Sequence, residues 1–371
     1  MGNPIPNTLF ARQSYDFGNG TVNARPPLFD DPKPETTRAF ETGVDVWMFN
    51  NKFNFDVTYY NSTLENQFMY VTTASGESKP VNTGKIRNYG VEFSASYRWV
   101  FNNDWTWRTG FNVAWNDNRI LETYKTESGA PYEVQIGPSA FKVKYKEGGR
   151  YGDLYVNSFD RNDDGTIKIL NEGDYENAMP AMATGTYDTF VGNTTSPVTL
   201  GWNNTITWKN LTLYFLIDGR IGGKVMSLTE SDLDKWGMSQ RTADARLAAM
   251  ADPNLQAADG TLLMYLPDNS GRKISIRKYY ETIGNWPMED HIYNATSFRM
   301  RDISLSYAMP NLFAANKGLT VQFSVKNAFF IYKDSPVDPD ISMTASNGLG
   351  GIDNYALPTT RSYALTLKLN F

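Results

Sequence analysis

Residues 362–371 alternate without a break. Tyr363, Leu365, Leu367, Leu369 and Phe371 are apolar, and Ser362, Ala364, Thr366, Lys368 and Asn370 are small or polar. Period two places these sets on opposite faces of a strand. The same rhythm runs through Val91, Phe93, Ala95, Tyr97 and Trp99, through Trp105, Trp107, Phe111, Val113 and Trp115, and through Leu319, Val321, Phe323 and Val325. It recurs less cleanly near 37–49, 52–63, 197–209, 210–221 and 296–309, with a weak stretch near 8–17. The pattern predicts about ten strands of the length and alternation expected of an apolar-out, polar-in membrane barrel. A water-soluble sheet packed on one face gives the same alternation, so the strands alone do not decide.

The links between strands discriminate better. Short links are predicted at Asn50-Asn51, Phe101-Asn102-Asn103, Lys209-Asn210 and 310–317, and long ones at 64–85, 119–196, 222–295 and 332–359. Short and long links alternate, as in barrels with tight turns at one rim and long external loops at the other. A soluble sandwich has no reason to sort its loops this way. Trp47, Trp99, Trp105, Trp107 and Trp208 all lie within four residues of a predicted short turn. An interfacial aromatic girdle is expected at that level. The predicted fold is an all-β, antiparallel transmembrane β-barrel. The 222–295 loop carries a helix-like stretch over 227–250, interrupted by Gly237 and too polar to span a bilayer.

Composition sharpens this picture in three places. The absence of Cys excludes a disulfide scaffold and a thiolate metal site. A net charge of −5 offers no basic surface for nucleic acid. The opening Met1-Gly2-Asn3-Pro4-Ile5-Pro6 has neither the basic nor the apolar region of a signal peptide. A barrel chain must be exported, so 1–371 is expected to be the C-terminal portion of one longer barrel protein.

Two sets of residues are candidates for chemistry. Asp160, Asn162, Asp164 and Thr166 stand at positions 1, 3, 5 and 7 of an oxygen-rich turn with Gly165 at position 6, the spacing of a calcium loop. Position 12 is Asn171 rather than Glu, so the match is partial, and an ordinary solvated acidic turn competes with it. Trp236, Tyr279, Tyr280 and Trp286 lie in the external loops and offer rings that pack on apolar sugar faces, with a polar handle on each tyrosine. Packing between loops is the competing reading for each. His291 is the single histidine, so a membrane-embedded hydrolase would have to use it, and no nucleophile motif accompanies it.

Several segments, in order, resemble one family. Lys33-Pro34-Glu35 with Glu41 and Gly43, Asn88-Tyr89-Gly90-Val91-Glu92, Phe298-Arg299-Met300-Arg301-Asp302-Ile303-Ser304-Leu305-Ser306-Tyr307, Asn327-Ala328-Phe329, Asp338-Pro339-Asp340 and Pro358-Thr359-Thr360-Arg361 resemble the closing strands of SusC/RagA-type TonB-dependent transporters of Bacteroidota. Lys326 and Ala328 depart from that pattern. The resemblance implies the C-terminal strands of a plugged, 22-stranded barrel, with the plug domain and earlier strands outside this chain. It also implies import of a glycan or peptide oligomer across the outer membrane, a SusD-like surface lipoprotein partner, contact with TonB through the remaining part, and no enzymatic activity. A passive porin-like or structural barrel and a soluble all-β binding module are the alternatives.

Overall fold

The structure is a computed structural model that describes residues 33–72, 78–126, 128–183, 187–285, 288–315, 317–340 and 350–370. The weak strand near 8–17, Trp286 and Phe371 lie outside the described residues. Nine long strands form one sheet: β1 Thr36–Met48, β2 Phe53–Thr72, β3 Ser78–Val100, β4 Trp105–Glu122, β5 Val198–Trp208, β6 Leu211–Ile221, β7 Ser297–Ala314, β8 Lys317–Lys333 and β9 Ser362–Asn370. Each pairs antiparallel with its neighbour in sequence, from β1 to β9 without a crossover. Among the described residues no helix is long and apolar enough to cross a membrane.

Register joins the apolar positions into one continuous face. Leu213, Leu305, Phe323 and Leu365 lie side by side across β6 to β9, and Val57, Phe93, Val113 and Leu200 do so across β2 to β5. This face stays open to its surroundings, with Leu365 67% exposed and Phe323 49%. Such a surface is stable only where hydrocarbon replaces water. The opposite face carries Glu92, Asn112, Asn203, Asp218, Ser304 and Thr366.

At the short-turn end, Trp99 stacks on Trp107 with ring centroids 4.4 Å apart and Trp105 on Trp208 at 5.8 Å. Trp47 does not join them. It pairs with Asn54 on the polar face, one position out of step with the apolar Val44, Val46 and Met48. Proximity to a turn misplaces it because parity, rather than distance from the turn, decides which face a strand residue occupies.

The long-link assignment needs one correction. The predicted 64–85 link is mostly strand, because β2 runs to Thr72 and β3 starts at Ser78. At about 3.3 Å per residue these two strands far exceed the bilayer and rise beyond it as a hairpin. A register shift between Leu64 and Gln67 marks the lower part of that extension. Lower down, Tyr60 lies across Gly90, where an added Cβ would fall 2.5 Å from the phenol oxygen, so only glycine admits the ring.

The remaining long links fold together. Strand segments Val134–Ile136, Phe141–Tyr145, Asp153–Val156 and Thr189–Asn193 make a small sheet. Lys224–Ser227 pairs antiparallel with Ile292–Asn294 and parallel with Ile352–Asp353, tying the second and third long loops together. Phe141, Val143, Leu154, Val156, Met226 and Ile352 are completely buried in one shared core. Each such side chain contributes roughly 1.5–3 kcal/mol.

Candidate substrate-binding site

Three helices fold above the rim, the second and third of them around a second core. They are α1 Leu228–Lys235, α2 Gln240–Ala251 and α3 Ile276–Ile283. The helical stretch expected over 227–250 is therefore two helices, broken at Trp236-Gly237, where Gly237 takes φ +66°. A side chain strongly disfavours that backbone, so the break is local in origin. Ser227 and Ser239 cap the two helices, accepting from the amides of Glu230 and Thr242. α3 was not foreseen. Its Ile276, Tyr279, Tyr280 and Ile283 follow helical spacing and pack against Phe159, Ile167, Ala249, Leu266 and Ile274.

Between these helices and the 175–176 and 259–262 segments lies a cavity of about 720 Å³. Trp236 and Tyr280 line it, with the acids Glu176, Asp259 and Glu281 and the bases Lys235, Arg246 and Arg277. Trp236 is 71% exposed, with the Lys235 ammonium over its ring 5.5 Å from the centroid. Tyr279 is not on the cavity wall: its hydroxyl donates to Asp290 at 2.7 Å and its ring stacks on Phe159. Burial and the Asp290 carboxylate push that phenol far above the ordinary tyrosine range.

On the cavity wall, Asp234 is the hub of a buried polar cluster. It accepts from the Ser239 hydroxyl at 2.6 Å, from Arg241 Nε at 2.9 Å and lies 2.8 Å from His291 Nε2. Burial pushes the Asp234 carboxyl up, but the bonds from His291, Arg241 and Ser239 outweigh it and hold it below the usual carboxylate range. Neighbouring Glu230 moves the other way, raised by burial and by the Asp234 charge. His291 is fully buried, and its Nδ1 has no hydrogen-bond partner among the described residues. The Ser239 hydroxyl serves the carboxylate instead of the imidazole, so this trio lacks the serine–histidine bond that activates a nucleophile. No sequence signal pointed to this buried partner for His291, because Asp234 is 57 positions away.

A second polar cluster ties the last long loop to the sheet's polar face. Arg299 donates to Asp338 at 2.8 Å and also pairs with Asp340 at 2.9 Å. Arg301 bridges Asp218 and Asp340, and Arg220 binds both Asp340 and the Pro339 carbonyl. Against β6, Ile217 pairs with Met300 and Leu216 with Asp302, so Arg301 is the extra residue of a bulge and adds a guanidinium to this wall. Burial raises the Asp338 carboxyl, but hydrogen bonds from Thr359 and Asp340 and the Arg299 charge overcome that and hold it low. The Asp-Pro-Asp motif was visible in sequence; its three arginine partners were not.

The 160–167 turn closes on itself. Asp164 accepts from the Thr166 amide and hydroxyl, Asn162 donates to the Thr166 hydroxyl at 3.0 Å, and Asp160 pairs with Lys168 at 3.2 Å. These bonds account for the turn's shape, and among the described residues no three His, Asp or Glu side chains converge as a metal site.

A sequential antiparallel wall, apolar on one face and charged on the other, with its folded loops at one rim, defines the wall of an outer-membrane-type barrel. Residues 3–218 match the family model described as TonB dependent receptor-like, beta-barrel. The chain belongs to that family. It is 24% identical to TonB-dependent receptor SusC of Bacteroides thetaiotaomicron, over 99% of this chain and 35% of SusC. It is also 24% identical to TonB-dependent receptor P3 of Formosa agariphila, over 92% of this chain and 35% of P3. The fold matches the structure of the RagAB peptide transporter with a TM-score of 0.66 at 20% identity, covering 91% of this chain and 36% of that one. The chain thus spans about a third of the length of these relatives.

Proposed function

We propose that this chain forms the C-terminal wall and much of the external roof of an energy-coupled importer in a Bacteroidota outer membrane. Its cargo is a glycan or peptide oligomer. The roof cavity carries this reading: aromatic faces and charges of both signs at one opening suit an oligomer with apolar and ionic groups along its length. A relative that is a peptide transporter supports the peptide arm. A SusD-like lipoprotein covers the loops, and TonB acts through the rest of the protein.

The test is uptake of labelled oligopeptides and oligosaccharides by cells carrying the full-length transporter. Trp236→Ala together with Arg246→Gln should cut uptake at least tenfold, and dissipating the proton gradient should abolish it. Gradient-independent flux would support a passive pore instead. Co-purification in mild detergent tests the lipoprotein, and recovery of the transporter alone in repeated preparations would remove it from the proposal. Calcium on Asp160, Asn162, Asp164 and Thr166 is a subsidiary proposal. Lys168 would then have to release Asp160, so Lys168→Met should tighten calcium binding in isothermal titration.

A further inference from the structure

The apolar band does not end abruptly at the loop rim. Two outward positions above Trp115 on β4 stands Arg119, paired in register with Arg87 of β3. Between them and the band, Tyr89 meets Trp115 edge-on at 5.7 Å and donates to Asp117, which in turn pairs with Arg150 at 3.0 Å. Arg119, Arg150, Lys146 and Lys224 line an open hollow of about 680 Å³ that reaches down to Pro197, the residue before β5.

Two carboxylates share the hollow, and both are already engaged. Glu147 accepts from Lys125 at 2.6 Å and from the Thr123 amide, and Asp153 accepts from the Arg150 amide and Asn193. The cations are less committed. Arg119 spends one nitrogen on the Gly148 carbonyl, Lys146 lies over the Tyr155 ring, and the Lys224 ammonium has no partner among the described residues. Tyr155 packs against Phe190, which is 54% exposed. Aromatic rings and cations set just above a lipid-facing band match the level at which lipid headgroups sit.

We propose that Arg119, Lys146 and Lys224, steadied by Arg150, form a site on the outer wall of the barrel for the phosphate-bearing headgroup of an outer-leaflet lipid. The shared chemistry is a phosphate monoester or diester. Continuity with the apolar band selects a membrane lipid over free phosphate, because acyl chains can lie on Trp115 and Ile221 while the headgroup meets the cations.

The experiment places the full-length transporter in phosphatidylcholine nanodiscs doped with diphosphoryl lipid A and reads bound lipid by native mass spectrometry. Arg119→Gln/Lys146→Gln/Lys224→Gln should weaken lipid A binding on the order of a hundredfold, since each interfacial cation contributes roughly a fivefold factor. Lys209→Gln/Lys273→Gln/Lys278→Gln removes the same charge elsewhere and should leave binding within about twofold. Inorganic phosphate should compete only weakly. Equal lipid A retention by the first triple variant and the wild type would overturn the proposal. Inorganic phosphate binding as tightly as lipid A would overturn the lipid assignment. If the triple variant loses its heat-modifiable gel mobility, Lys224→Gln alone carries the test, with a loss of about fivefold expected.

Discussion

The strand wall and the loop roof are one polypeptide folded against two solvents. In the roof, Phe141, Leu154, Ile274 and Ile283 are completely buried, as in a small water-soluble domain. In the wall, Leu365, Leu367 and Phe323 stay about half exposed or more, and at their level the polar residues Ser304, Ser324, Gln322 and Thr366 turn to the other side. The same side chains thus serve opposite ends: the roof uses leucine and phenylalanine to leave water, the wall to meet lipid. The contrast also appears in the polar groups. The wall's arginines reach across to a loop, whereas the Asp234 cluster closes within the roof.

The contrast can be broken from either side. The largest effect is expected in the roof. Phe141→Ala should destabilise the roof by about 3–5 kcal/mol, and hydrogen exchange should show 134–156 and 224–227 opening while the wall stays protected. Loss of protection in both regions together would mean that roof and wall are not separable units.

On the wall, Leu365→Arg should cost roughly 2–4 kcal/mol near the bilayer midplane. Thr366→Arg, one position along on the polar face, should be far milder. Folded yield in detergent-extracted outer membranes measures both, and equal losses would contradict the assignment of faces.

The next effect is pH-dependent and joins the two regions. The folded Asp338 carboxyl lies below its unfolded range, so its contribution is present above an ordinary aspartate pKa of about 3.9 and fades as pH falls through the lower folded value. Acidification should therefore release residues 334–340 from Arg299, and Asp338→Asn should show that release already at neutral pH. The smallest effect has the opposite sign. Burial raises Glu289 despite its pairing with Arg161. Its favourable contribution is complete below the unfolded glutamate pKa and lost as pH rises, so at neutral pH it costs the roof stability. Glu289→Gln should slightly raise the roof's melting temperature at pH 7, with the gain vanishing in acid.

The wall was legible in sequence because lipid and lumen constrain every second residue independently. From 37–49 to the end, the nine described strands fall where alternation put them; β2 and β3 ran long at their upper ends, and β7 and β8 ran long at the short-turn end, where strand takes up most of the link expected at 310–317. The roof was less legible because its order comes from distant partners. Met226 meets Ile352, and Asp234 meets His291, with no local signal for either pairing. α3 is the exception: Ile276, Tyr279, Tyr280 and Ile283 carry helical spacing that passed unread inside a long polar loop. Trp236 and Tyr280 were found as loop aromatics, but the charges gathered beside them, Glu176 with Arg246 and Arg277, come from three separate segments.

The short pairing of Ile352–Asp353 with Met226–Ser227 has a consequence for biogenesis. Ile352 is fully buried in a core whose other buried members all precede residue 230, and Asp353 accepts from Ser227, the residue that caps α1. These partners emerge late in synthesis, more than a hundred residues after the groups they complete. Until they arrive, the earlier loops present an unfinished apolar surface and an open strand edge, the kind of intermediate that invites aggregation or chaperone capture. The roof therefore reports on the arrival of one short segment: it becomes fully closed only when residues 352–353 have been delivered to it, just ahead of β9.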